Sequence, residues 1–188
     1  MLDAAYDAFC SDGYRAATMD AIAERAGVAV QTLYFTFHTK DELLQAVTDR
    51  TVMGDEALPP PLQPWYLAGA AAPDARDAVG HFVRGIATIC RRVAPMMPTF
   101  HAVAADPAGA VWQHSEALRL EGMVEIVGLL TQKARLRRGV TRAHAADAVF
   151  ALTGPDMYLR LVIERGWPEA QFTAWCERLI LSDLFGLS

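Results

Sequence analysis

The chain has 188 residues, of which 53% are hydrophobic and 21% charged, with a formal net charge of −5. That is enough apolar material to bury a sizeable core, in one medium domain or in a small module joined to a larger one, and the negative charge argues against a protein coated in basic surface. No apolar run approaches the roughly 18 residues of a membrane span, no secretory signal is visible, and Cys10, Cys90 and Cys176, odd in number and outside metal-ligand spacing, are expected to be reduced, buried residues of a cytoplasmic protein.

Helical periodicity runs through the whole chain, and no segment alternates with the two-residue period of a strand. Leu2, Ala5, Tyr6 and Phe9 form a first apolar stripe that stops at Ser11-Asp12-Gly13. Thr18 caps a second short helix with Ala21, Ile22 and Ala26 inward, closed by Gly27. A third is expected from Val30 to Phe37. The fourth opens on Thr39-Lys40-Asp41-Glu42, a capping box in which Thr39 and Glu42 satisfy each other's backbone donors, and continues towards Arg50. Pro59-Pro60-Pro61 and Pro64 then predict a non-helical boundary.

Beyond it, Asp74 caps a helix reaching Val93, with Pro95 and Pro98 ending it. Asp106-Pro107 starts another that runs to about Arg135, near the Gly139 break. Thr141 opens the next, and Gly166-Trp167-Pro168 separates it from a last helix ending near Phe185. The expected fold is all-α: an N-terminal helix-turn-helix in a three-helix module, residues 1–48, and a C-terminal helical bundle, residues 49–188.

The stretch from Thr18 to Lys40 carries the chemistry. Two short helices joined at Ala26-Gly27-Val28 fit a helix-turn-helix, with Gly27 supplying the left-handed turn residue. Ile22, Val28, Leu33 and Phe37 would form its small core. Val30, Gln31, Thr32, Tyr34, Phe35 and Thr36 are left on outward or end positions, where a helix can enter the major groove of double-stranded DNA. Gln31 can bond adenine through two hydrogen bonds, Val30 can pack on a thymine methyl, and Thr32 can do either. Tyr34 and Lys40 suit phosphate oxygens, as does Thr18 at a helix N-terminus.

These residues resemble a known family. Ala4-Ala5, Phe9, Gly13-Tyr14, Ala17-Thr18, Ile22-Ala23, Ala26-Gly27-Val28, Thr32-Leu33-Tyr34, Phe37, Lys40 and Leu43 are similar, at fixed spacing, to the DNA-binding domain of TetR-family bacterial regulators. A weaker similarity to an actinobacterial-style subgroup runs through Ala151-Leu152-Thr153-Gly154-Pro155, Tyr158 and Glu164-Arg165-Gly166-Trp167. There are departures. Ala29 stands where a serine usually caps the reading helix, at a cost of about 1 kcal/mol, and Thr36 replaces a usual histidine. Residues 1–50 hold four basic against eight acidic side chains, a net of −4. The basic arm that often precedes the first helix in this family does not precede it here, so an arm missing from this sequence is one expectation and weak nonspecific DNA binding is another.

The resemblance implies a body that encloses a small apolar or amphipathic effector. Phe82, Met96, Met97, Phe100, His101, Trp112 and Tyr158 are the candidate lining, each also able to serve as ordinary core. It also favours a homodimer whose seam takes Ala146, Val149, Leu152, Phe172, Trp175, Leu179 and Ile180 from the last two helices, although packing within the chain would cover the same residues. No cofactor, metal ligand set, nucleophile–base pair or membrane partner is expected, and the chain is not expected to be an enzyme. The implied function is a ligand-responsive repressor released from a palindromic operator. The alternative is a degenerate relative that binds a small molecule or a protein without operator binding.

Overall fold

The computed structural model describes residues 1–55 and 57–187. These residues are all-α, without strands among them, and no helix is long and apolar enough to cross a membrane. They divide into two compact units, Met1–Ala57 with Pro95–Glu116 and Leu58–Ala94 with Ala117–Ser188. The first boundary expected from sequence, at residue 48, falls inside a helix that runs unbroken from Lys40 to Met53.

The first unit opens with α1 (Leu2–Ser11), the single turn α2 (Gly13–Ala16), α3 (Met19–Ala26), α4 (Val30–Phe37) and α5 (Lys40–Met53). Ala5, Ala8 and Phe9 of α1 are buried together with Ile22, Leu33, Leu43, Leu44 and Val47. Two of its helices begin on side-chain caps: Thr18 accepts from the Ala21 N–H and Thr39 from the Glu42 N–H, both at 3.1 Å. The unit is completed by α8 (Met97–Val103), which packs on α1 and α2. There the Thr99 hydroxyl donates to the Phe9 carbonyl at 2.5 Å and Arg15 pairs with Asp106 at 3.0 Å.

The second unit contains α6 (Pro64–Ala71), α7 (Ala75–Val93), the residues of α9 (Gly109–Lys133) from Ala117 onward, α10 (Arg142–Leu152), α11 (Pro155–Tyr158) and α12 (Glu169–Leu179). Wider π turns continue α11 to Glu164 and α12 to Phe185. Its core gathers Val79, Phe82, Val83 and Ile86 of α7, Ile126, Val127 and Leu130 of α9, Ala146 and Val149 of α10, and Phe172, Cys176 and Ile180. Asp74 and Thr141 cap α7 and α10 as their sequence positions predict.

Three expectations need correction. The proline-rich stretch is partly helical: Pro60–Leu62 makes a 3-10 turn and Pro64 starts α6, because proline in a first turn gives up a donor that would have no intrahelical partner. Pro95 and Pro98 do not end the helical path either. A 3-10 turn over Ala94–Met96 leads into α8, with Pro98 in its first turn. Asp106-Pro107 sits in a turn, and α9 begins two residues later at Gly109, whose N–H donates to the Asp106 carbonyl. Of the three cysteines, Cys90 and Cys176 are buried and Cys10 only half-buried.

One polar network ties α7 to α11 and α12. Arg91 donates to both carboxylate oxygens of Glu169, at 2.9 and 2.6 Å, and the Tyr158 hydroxyl donates to Glu169 Oε2 at 2.5 Å. The Arg91 hydrogen bonds hold the Glu169 carboxyl below its ordinary value near 4.5. Burial, then the bond to Glu169, pushes Tyr158 up from 10 to about 12. The Glu169 contribution to stability is therefore present above its unfolded pKa and lost as pH falls through the lower folded one. The Tyr158 contribution is present below pH 10 and lost as pH rises towards 12. Melting temperature followed against pH should show both limbs, and Glu169→Gln should lower the plateau and flatten the acid limb. An acid limb unchanged in that variant would remove Glu169 from this role.

Candidate nucleic-acid interface

The α3–turn–α4 segment is held by local chemistry. Gly27 takes φ +68° at the end of α3, its N–H donating to the Glu24 carbonyl, and the Val28 N–H donates to the Ala23 carbonyl at 3.0 Å. Leu33 is buried, Val28 and Phe37 are half-buried, and together with Ile22 they fix the angle between the two helices. With Leu33 turned inward, the helical period leaves Gln31, Thr32, Tyr34, Phe35 and Thr36 exposed and Val30 half-buried. Phe35 is 85% exposed, which no packing requirement of this chain explains.

Some of these groups are already engaged. The Thr36 hydroxyl donates to the Thr32 carbonyl at 2.9 Å, leaving its oxygen to accept. Thr18 is exposed and accepts the Ala21 N–H, so its hydroxyl proton is left to reach outward. Ala29 begins α4 without a side-chain cap, as the missing serine predicts.

Lys40 is more constrained than its sequence position suggests. Its ammonium donates to the Tyr14 carbonyl at 2.7 Å and lies 4.1 Å over the Tyr14 ring, while the Tyr14 hydroxyl donates to Asp41. Burial lowers the pKa of this lysine, with Asp41 opposing the shift. Two of its three donor directions remain for a phosphate.

The reciprocal capping box is only half formed. Thr39 accepts from Glu42, but the Glu42 carboxylate turns to His38 Nδ1 at 3.3 Å, and the Thr39 N–H donates to the Phe37 carbonyl. His38 thereby adopts φ +48° and ψ −48°, a strained turn for a non-glycine residue, at the exit of α4. Sequence reading passed over His38, because the turn is set by the partners on either side rather than by the residue itself.

The candidate effector residues fall into separate groups. In the first unit Met96, Met97 and Phe100 are buried, Phe100 stacks on Trp112 with centroids 4.5 Å apart, and His101 is exposed. In the second, Phe82 packs edge-on against Tyr66 and Trp65, and Tyr158 packs against Phe172. Among the candidate seam residues, Ala146, Val149, Phe172 and Ile180 are buried in the chain's own core, so they have no surface to offer a partner. Leu152, Trp175 and Leu179 keep part of theirs.

Residues 1–47 match the family model described as bacterial regulatory proteins, tetR family. A 52-residue segment is 50% identical to the HTH-type transcriptional activator FasR of Mycolicibacterium smegmatis, a match that takes in 28% of this chain and only 24% of that protein's length. Over 96% of this chain and 95% of its own, the fatty acid degradation regulator FadR from Bacillus halodurans has a similar fold, with a TM-score of 0.70 at 16% identity. The TetR-family regulator PfmR from Thermus thermophilus is similar over 97% of both chains, with a TM-score of 0.64 at 20% identity. Residues 1–47 are thus similar to the DNA-binding module of the tetR family of bacterial regulatory proteins, and the chain as a whole shares the fold of such regulators.

Proposed function

We propose that the protein is a homodimeric, ligand-responsive repressor that holds a palindromic operator through α4 of each subunit and releases it when a small effector binds. The observation that carries this reading is the exposed row Gln31, Thr32, Tyr34, Phe35 and Thr36 on a helix fixed from behind by Leu33. Gln31, Thr32 and Val30 would read base edges, and Thr18, Tyr34 and Lys40 would meet phosphates. The effector would favour a conformer in which the two reading helices no longer match the half-site spacing.

A compound with an apolar body is favoured by the aromatic and methionine content around Phe82 and Tyr158 in one unit and around Met96, Met97, Phe100, His101 and Trp112 in the other. FadR is named for fatty acid degradation, which makes long-chain acyl compounds the first to try. FasR is named an activator, so the sign of regulation is read from a reporter. For the dimer, Leu152, Trp175 and Leu179 are the seam residues with surface still to bury.

The test is gel mobility of DNA from the gene's own promoter region at low and moderate salt, with sedimentation of the free protein. A dimer that shifts this DNA, and is released by an acyl compound, is the expected result. A protein that binds the compound and shifts no DNA under any condition is instead the degenerate relative.

A further inference from the structure

Five of the chain's 17 basic residues lie between Lys133 and Arg142, and no aspartate or glutamate occurs from residue 126 to residue 146. Lys133 is spent inside the second unit, its ammonium donating to the carbonyls of Ala70 and Ala72 at 2.9 and 2.5 Å. Arg135, Arg137, Arg138 and Arg142 are exposed, and among the described residues no carboxylate pairs with any of them.

The segment that displays them is anchored. Leu136 and Val140 are turned onto the core of the unit, the Arg137 N–H donates to the Leu184 carbonyl at 2.8 Å, and the Val140 N–H closes a turn onto the Arg137 carbonyl at 3.0 Å. Gly139 supplies the positive φ that this turn requires, and Thr141 caps the helix that follows. Four like charges in eight residues repel one another, with no paired acid to offset them. The backbone that carries them is ordered beforehand, so a polyanion meeting them loses little binding energy to ordering the chain.

We infer that this arginine turn is a second nucleic-acid surface, which grips the phosphate backbone of duplex DNA without reading its sequence. It rests on the proposed function only in that DNA is the polyanion the protein meets. The guanidinium fork fits phosphate oxygens. The first fifty residues, at net −4, supply few such contacts of their own. Between residues 133 and 144 no large apolar side chain is exposed, the two that could be, Leu136 and Val140, being packed inward. A protein interface would need an apolar centre and a bilayer surface an apolar wedge, and this turn presents neither.

The experiment uses the full chain and a labelled random-sequence duplex, with affinity measured across a salt series. The variant is Arg135→Gln/Arg138→Gln/Arg142→Gln, sparing Arg137, whose stem lies within 4 Å of an ideal Cβ placed on Gly186. Arg160→Gln/Arg165→Gln/Arg178→Gln is the control, removing the same charge from exposed positions elsewhere in the same unit. The first variant should bind at least about tenfold more weakly at low salt, and its salt slope should fall by about two to three units per chain, at roughly 0.9 per lost phosphate contact. The control should change little.

Equal losses in both variants would mean net charge alone is at work and would overturn the inference, as would an unchanged slope in the first. Binding to phosphatidylglycerol vesicles that the first variant loses, with duplex binding unchanged, would assign the turn to lipid headgroups and overturn it too. A random-sequence duplex offers no operator to be read, so only contacts with the phosphate backbone hold it. Failure to find an operator therefore does not touch this measurement.

Discussion

Gly85→Ala should destabilise the protein, although alanine is the better helix former by about 1 kcal/mol. A Cβ at position 85, in the middle of α7, would lie 2.0 Å from Trp65 Cδ2 and 2.3 Å from its Cγ and Cε3. The ring cannot simply step aside. Its Nε1–H donates to the Gln63 side chain at 2.6 Å, the Gln63 amide donates in turn to the Leu58 carbonyl, and the ring packs edge-on against Tyr66 and Phe82. Overpacking of this kind costs about 1–3 kcal/mol, which lowers the melting temperature of a chain this long by about 2–12 °C. Trp65→Leu should be destabilising by itself, and the two changes together should cost less than their sum. Gly122 of α9 has open space around its missing Cβ, so Gly122→Ala should add about 0.5–1 kcal/mol. Thermal melts of the four variants decide the matter. A Gly85→Ala protein as stable as Gly122→Ala would show that the ring relaxes freely.

On operator DNA, Gln31→Ala should cost about 1–3 kcal/mol and relax preference at one symmetric pair of positions, because in the proposed function its amide reads a base edge. Lys40→Ala should weaken binding to all sequences alike and reduce the salt slope by about one unit per contact. The geometry adds a second expectation for Lys40. Its bond to the Tyr14 carbonyl and its place over the Tyr14 ring mean that alanine also loosens α2 from the start of α5. Lys40→Met retains much of the packing and removes only the charge, so it should keep more of the melting temperature than Lys40→Ala while binding DNA no better. If Gln31→Ala changes nothing and Lys40→Ala alters preference at one base, the two roles have been assigned the wrong way round.

The parts of this fold legible in the sequence are those governed by near neighbours. Thr18, Thr39, Asp74 and Thr141 each announce a helix start, and each accepts the N–H three residues on. The inward Leu33 and the exposed row around it follow from the 3.6-residue period alone. The continuation through Pro64, Pro95 and Pro98 was not legible, because a proline's effect depends on whether it falls in a first turn or an interior one, and tertiary packing decides that. The π turns after Tyr158 and Leu179 leave no local mark either. What covers the candidate seam is hard to read from the sequence for the same reason. Ala146, Val149, Phe172 and Ile180 have the composition of an interface, but composition does not say whether a partner or the chain's own α7 and α9 will cover them.

The first unit returns to itself after a gap of 37 residues, taking α8 and the start of α9 as part of its body. Anyone grafting this helix-turn-helix unit onto another protein would therefore need two pieces of chain. A fusion made after Ala57 leaves the Phe9 carbonyl without the Thr99 hydroxyl and Arg15 without Asp106. It also exposes the side of α1 and α2 on which α8 packs. The transferable object is the helix-turn-helix together with α8 and the start of α9, and recombination that respects only the first boundary would separate them.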